Sequence, residues 1–219
     1  MDHPHRRAHR TVRHSATILP RLGEHSVKIN SSPRIAGVLL LHADPVTDDR
    51  GFFCRTFDAD AAREVGILPE SFLQDSISRS VRGAIRGFHI RTGLGESKLV
   101  RCSYGEIFDV VVDLRPNSLT YRNWESFTLR GDAPATLYIP AGCAHGFQAL
   151  TEPADVTYRI DRVHDPSEEI SIAYDDPELG IPWPLAVSAI SRRDREAASL
   201  VDATHLWPEI EYPPGPAAG

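Results

Sequence analysis

With 219 residues, 41% of them hydrophobic and 25% charged, the chain can bury a substantial core as one large domain or two small ones. Against 30 Asp and Glu stand 24 Lys and Arg, and the net charge of -6 argues against general nucleic-acid binding. No apolar run approaches the ~18 residues of a membrane span, and three scattered cysteines, Cys54, Cys102 and Cys143, suggest a reduced, cytoplasmic setting rather than a zinc ribbon or a disulfide framework.

The start, MDHPHRRAHRTVRHSA, is rich in Arg and His and lacks the apolar core of a signal peptide. Residues 1–30 read as a disordered or extended basic tail. GVLLLHA (37–43) is a strand candidate, and DDRGFFCRTF (48–57) follows it with a bend at Gly51. DADAAREVG (58–66) reads as a short helix that Asp58 caps and Gly66 stops. Then come SFLQDSISRS, AIRGFHIR, SKLVRCSYG, EIFDVVVDLR, WESFTLRG, ATLYIP, HGFQALT, VTYRIDRV and EISIAY, all strand-like runs broken by turns. In EIFDVVVDLR, Ile107, Asp109, Val111 and Asp113 share one face while Phe108, Val110 and Val112 share the other, the pattern of a strand buried on both sides. Tyr104-Gly105-Glu106 is short enough to close a hairpin.

SRRDREAASLVDA (191–203) has helical composition, and PEIEYPPGPAAG (208–219) gives the end, read as a flexible tail over 206–219, the proline and glycine of an unstructured terminus. Without a repeat or a long linker, residues 31–205 make one domain. Some ten short strands and few helices predict an all-β fold, a jelly-roll barrel or sandwich with a few short helices, one of them near the C-terminus.

Several polar side chains interrupt the apolar strands: Arg86, His89, Lys98, Asp109, His145 and Tyr158. Buried charge is expensive unless it is paired or put to use, so a barrel that points these groups inward holds a polar pocket in its mouth. Each has a plainer alternative. His89 can be a core histidine bonded to backbone, Lys98 an edge-strand lysine that blocks aggregation, and Tyr158 a half-buried strand tyrosine. Asp109 can pair with a neighbouring Arg. In PAGCAHGF (140–147), small residues flank His145, which faces either a pocket or solvent. Ser191-x-x-Asp194 resembles a capping box with Asp in place of Glu or Gln, so Asp194 either caps a helix or reaches a histidine.

A metal-binding barrel usually presents HxH, a nearby Glu and a later His. Here the second position is Arg91, a cation, and no metal is expected. Walker, GxGxxG and GxSxG motifs are absent.

DDRGFF, QDSISRS, RGFH, SKLVR, IFDVVVDLR, PAGCAHGF, TYR and YDDPELGIPWP occur in one order between about Gly37 and Asp194. Together they resemble the dTDP-4-dehydrorhamnose 3,5-epimerase family of cupin-like jelly rolls. By that resemblance His89 is the catalytic base, Asp194 its paired carboxylate, Tyr158 the general acid on the opposite face of the sugar, and Lys98 the neighbour of the developing enolate oxygen. His145 and Asp109 match pocket residues around the sugar. Arg50, Gln74 and Arg86 match positions that hold the nucleotide diphosphate, Arg50 reaching across a dimer interface. Phe53 and His164 complete the substrate-binding set. The resemblance implies a dTDP-sugar substrate, no cofactor and a homodimer with exchanged strands.

The residue types suit that chemistry. A hydrogen α to a ketone must be taken by a base near pH 7, where histidine with its ordinary pKa of ~6.5 is poised. The enolate charge collects on oxygen, where a lysine ~4 Å away contributes roughly 4 kcal/mol at an effective dielectric of ~20. Inversion needs a proton donor on the other face. The chain departs from the family at Arg55, where a glutamate is usual, at Ser76 in place of Asn, and at His164 in place of a second tyrosine. The His89–Lys98 loop and the Trp183–Asp194 segment also look slightly shorter. The changed sugar-side residues motivate the expectation that one carbon, C3 or C5, is epimerised rather than both, while Arg55, near the nucleobase, bears on recognition of thymine. The alternatives are a catalytically silent sugar-nucleotide-binding protein on the same barrel and, third, a metal-dependent oxygenase or isomerase.

Regular alternation puts Arg86 and His89 of IRGFHIR on opposite faces of a strand, yet the resemblance assigns both to one site. Irregular pairing at Gly87 is therefore expected.

Overall fold

A computed structural model describes residues 27–204. In chain order the strands are β1 (Lys28–Ser31), β2 (Leu39–His42), β3 (Val46–Asp48), β4 (Gly51–Phe53), β5 (Gln74–Ser80), β6 (Ile85–Arg91), β7 (Lys98–Tyr104), β8 (Glu106–Asp113), β9 (Trp124–Arg130), β10 (Ala135–Ile139), β11 (Cys143–Ala149), β12 (Ala154–Ile160) and β13 (Glu169–Ser171). The helices are α1 (Ala59–Glu64), α2 (Arg192–Arg195) and α3 (Leu200–Thr204), with single 3-10 turns at Pro69–Ser71 and Pro166–Glu168.

Two antiparallel sheets carry the fold. One has the order β1-β2-β10-β7-β12-β5, the other β13-β6-β11-β8-β9, and β3-β4 is a separate hairpin. This is the all-β sandwich that the strand spacing predicts. Of the expected tails, 1–30 and 206–219, residues 1–26 and all of the second lie outside the described residues, while β1 starts at Lys28, within the span read as tail.

The alternation of β8 explains the layers. Ile107 and Val111 join Val100, Leu137, Ile139, Val156 and Phe147 in the core between the sheets. Val110 and Val112 point the other way, into a second core with Phe88, Ile172, Leu179 and Leu200. Trp183 closes that outer core, its ring centroid 5.7 Å from that of Phe88. A third cluster under α1 packs Ala62 and Ile67 on Leu39, Leu41, Leu99 and Tyr138 of the larger sheet. Asp58 caps α1 as expected, its Oδ1 accepting from the N–H groups of Asp60 and Ala61, and Gly66 ends it at φ +80°.

Three local expectations need correction. Tyr104-Gly105-Glu106 does not close a hairpin: β7 pairs with β10 and β12, while β8 pairs with β11 and β9. Gly105, at φ +76° and packed on Thr151 and Pro153, turns the chain from one sheet into the other. Residues 191–203 are not one helix, because the chain extends between α2 and α3 so that Ala198 can bridge Ile172. Lys98 is not an edge-strand lysine; it opens a strand held between two others.

Candidate active site

A cavity of about 670 Å³ opens between the sheets, within the ~300–1,000 Å³ usual for small-molecule sites. Arg86, His89, His145 and Phe147 of the smaller sheet line one wall, and Ser78, Lys98, Val156, Tyr158 and Ile160 of the larger sheet line the other. Glu96, His164, Glu169, Arg193 and Asp194 close the rim. Seven of the eleven residues singled out from the sequence therefore meet here: Arg86, His89, Lys98, His145, Tyr158, His164 and Asp194.

Irregular pairing on β6 brings Arg86 and His89 to one cavity. His145 pairs with His89 and Phe147 with Arg86, so the two residues Gly87 and Phe88 stand opposite the single residue Gly146. The extra residue offsets the alternation, as a bulge does. Only glycines fit the crossing. Gly87 has φ +119°, and a Cβ there would lie 2.5 Å from Gly146 Cα, while one on Gly146 would lie 3.0 Å from the Phe88 ring.

His89 Nε2 lies 2.7 Å from Asp194 Oδ1, and Gly87 N–H donates to Asp194 Oδ2 at 3.4 Å. The cap and the histidine are not alternatives for this residue. Its backbone N–H donates to Ser191 Oγ at 3.0 Å, which caps α2, while its carboxylate reaches the imidazole. Burial pushes the Asp194 carboxyl up, but the hydrogen bond and charge of His89 outweigh it and hold the group below the usual carboxylate range.

Two groups that the sequence did not single out crowd the same ring. Arg193 Nη2 is 2.8 Å from His89 Nε2, and Glu169 Oε1 is 3.7 Å from Nδ1. One ring nitrogen makes one in-plane bond. When Nε2–H donates to Asp194, Nδ1 keeps the lone pair that accepts a proton, and the Arg193 guanidinium is left to Glu169, which it grips at 2.8 and 3.2 Å. Burial raises the Glu169 carboxyl, and Arg193, His89 and Lys98 more than reverse that. Arg193 was findable as the neighbour of Asp194, whereas nothing local marks Glu169.

A second histidine–carboxylate pair sits beside the first. His145 Nε2 is 2.8 Å from Asp109 Oδ2, so Asp109 supports the cavity from beneath rather than lining it. Lys98 Nζ is 3.3 Å from Glu96 Oε1. Ser78 Oγ is buried at the cavity wall with no hydrogen-bond partner among the described residues. Arg86 Nε donates to Ser80 Oγ at 3.0 Å.

Arg50, Phe53 and Gln74 are not brought to this cavity within the chain. Arg50 is on the exposed β3–β4 turn, paired with Asp48, and Phe53 on β4 is 63% exposed. Gln74 Oε1 instead accepts the His164 N–H at 2.8 Å, which anchors the loop carrying His164. Among the described residues no group of three or more His, Cys, Asp and Glu is arranged to hold a metal ion.

Comparison with known proteins gives one consistent result. The family model described as dTDP-4-dehydrorhamnose 3,5-epimerase matches residues 32–202. The chain is 41% identical over 170 residues to the dTDP-4-dehydrorhamnose 3,5-epimerase of Pseudomonas aeruginosa, covering 77% of this chain and 94% of that one. It is 35% identical over 193 residues to the dTDP-4-dehydrorhamnose 3-epimerase of Streptomyces niveus, covering 84% and 93%. Among solved structures, the dTDP-6-deoxy-D-glucose-3,5-epimerase of Legionella pneumophila in complex with dTDP-4-keto-L-rhamnose superposes with a TM-score of 0.78 at 36% identity, covering 85% of this chain and 100% of that one.

Proposed function

The chain belongs to the dTDP-4-dehydrorhamnose 3,5-epimerase family, and on that premise we propose that it epimerises a dTDP-4-keto-6-deoxyhexose at C3, C5 or both. The observation that carries this reading is the His89–Asp194 pair, 2.7 Å apart, on one wall of a cavity whose facing wall bears Lys98 and Tyr158.

The chemistry follows from charge. His89 takes the proton α to the ketone; Asp194 fixes the ring tautomer and stabilises the imidazolium that forms. Negative charge moves to the C4 oxygen, which Lys98 stabilises. Tyr158, on the facing sheet, returns a proton from the opposite face, and the carbon is inverted. Arg86 binds the diphosphate, and His145 and His164 contact the sugar. No step needs a redox group.

Arg50 and Phe53 act across a homodimer in this reading. The exposed β3–β4 hairpin supports it, with Val46, Phe52 and Phe53 bare to solvent at 47%, 51% and 63%. The three free cysteines suit a reducing compartment such as the cytoplasm. Epimerisation at one carbon has two supports. A 3-epimerase stands among the relatives, and the rim carries His164 where the family has a tyrosine. Arg55, in place of the family's glutamate, is tied to Asp58 at 3.1 Å, which bears on the nucleobase rather than the sugar.

Incubation with dTDP-4-keto-6-deoxyglucose in deuterium oxide, followed by proton NMR of the product, tests this. Deuterium enters at an inverted carbon if the reading holds. Inversion at both carbons would remove the single-site part of it.

A further inference from the structure

The second arginine of IRGFHIR ends β6, Lys98 opens β7, and Glu96 lies in the six-residue loop between them. Arg91 is 6% exposed. Its Nη1 donates to Glu96 Oε2 at 2.9 Å and its Nε to Glu168 Oε2 at 2.9 Å. Glu96, itself 8% exposed in its side chain, turns its other oxygen to Lys98 Nζ at 3.3 Å. Arg162 completes the cluster, 3.3 Å from Glu168 and bonded to the Gly95 carbonyl at 3.1 Å. Arg91, Glu96 and Lys98 also line a small recess against His89.

This arrangement poses a problem for the reaction proposed above, on which the inference rests. A carboxylate 3.3 Å from the lysine would cancel the charge that the enolate oxygen needs. Three cations, Arg91, Lys98 and Arg162, share the two carboxylates Glu96 and Glu168. Arg91 draws on both carboxylates, so Glu96 is committed on one oxygen before it meets Lys98. A guanidinium suits this place because its fork reaches two acids at once and stays charged when buried.

We propose that Arg91 is a positioning residue for the epimerisation: it holds Glu96 so that this carboxylate neither neutralises Lys98 nor draws it out of the cavity. Arg91 is not among the residues that line the main cavity. Removing it leaves Glu96 to Lys98 alone, and the ammonium is drawn away from the oxygen where charge develops. Removing both Arg91 and Glu96 frees Lys98 again.

The test is a double-mutant cycle, read as solvent-deuterium exchange into dTDP-4-keto-6-deoxyglucose at saturating and at limiting substrate. R91Q is expected to lower kcat about tenfold, a fraction of what losing an oxyanion partner outright costs, with KM changed less than about twofold. E96Q keeps the Arg91–Glu168 pair and loses less than about threefold in kcat. The R91Q/E96Q chain recovers to within about threefold of wild type, because the uncompensated carboxylate is gone. A purely structural role for the pair makes the double variant at least as slow as R91Q, and that result overturns the proposal. If R91Q does not fold, R91K keeps the buried charge but cannot fork; it loses about threefold, and adding E96Q reverses the loss. An unmodified chain that exchanges no deuterium overturns the proposed function and this inference together, whereas an active chain with no recovery in the double variant overturns the inference alone.

Discussion

His89 and His145 are register partners on neighbouring strands, and each has Nε2 within 2.8 Å of an aspartate, yet their surroundings differ. The His89 side chain is 23% exposed and its partner Asp194 comes from α2, whereas His145 is 11% exposed and Asp109 comes from the adjacent strand β8. Asp194 is surrounded by donors and charge: Gly87 N–H, His89, and the Nε of Arg193 at 3.7 Å. Asp109 is fully buried, and its Oδ1 has no hydrogen-bond partner among the described residues. A bare buried oxygen costs roughly 1–3 kcal/mol, while the other oxygen is held by His145 at 2.8 Å. One pair is more exposed and bordered by a further cation; the other is more deeply buried and held on an adjacent strand. The first suits a proton that must come and go, the second a ring that must hold still.

This contrast orders the expected effects. His89→Asn removes the base and should reduce solvent-deuterium exchange by roughly 10³-fold, within the ~10²–10⁴ that a positioned base contributes. Asp194→Asn keeps the shape but withdraws the charge that stabilises an imidazolium, and about a 10²-fold loss in kcat is expected. Asp109→Asn should cost less than about tenfold, since a fixed ring needs a partner more than it needs an anion. Equal losses for the two aspartate variants would abolish the distinction between the pairs.

The smallest effect is on stability in acid. The Asp194 carboxyl titrates below its ordinary value because His89 and Gly87 favour the charged form over the penalty of burial. A depressed folded pKa contributes stability above the unfolded value of ~3.9 and loses it as pH falls through the folded one. Urea midpoints measured from about pH 5 down to pH 2 should therefore fall more steeply in the wild type than in Asp194→Asn. Parallel profiles would mean that the His89–Asp194 bond adds nothing to the fold.

The legible part of the molecule was the part governed by short periods. Alternation in EIFDVVVDLR predicted a strand buried on both faces, and β8 separates two cores. Asp58 and Gly66 bounded a helix by capping chemistry that operates within a few residues. The conflict between alternation and resemblance in IRGFHIR pointed to the bulge that Gly87 and Gly146 make possible. The hairpin expected at Gly105 failed for a related reason. A period of two tells which way a side chain points, but not which sheet the strand joins.

From the sequence alone came the types and the order: an all-β chain, its punctuation, and a set of histidines, a lysine, a tyrosine and acids that interrupt apolar strands. The tertiary structure alone decided the pairing. It brought the Asp194 carboxylate to His89, a contact that the resemblance implied and the residues left open against a helix cap, gave Asp109 to His145, put Glu169 and Arg193 against the base, and bound Arg91 to Glu96 and Glu168. Local rules reach about one turn or one strand neighbour, whereas His89 and Asp194 are separated by 105 positions in the chain. Only the packing of two sheets and a short helix brings such distant charges within hydrogen-bond range, and there burial makes the choice of partner matter.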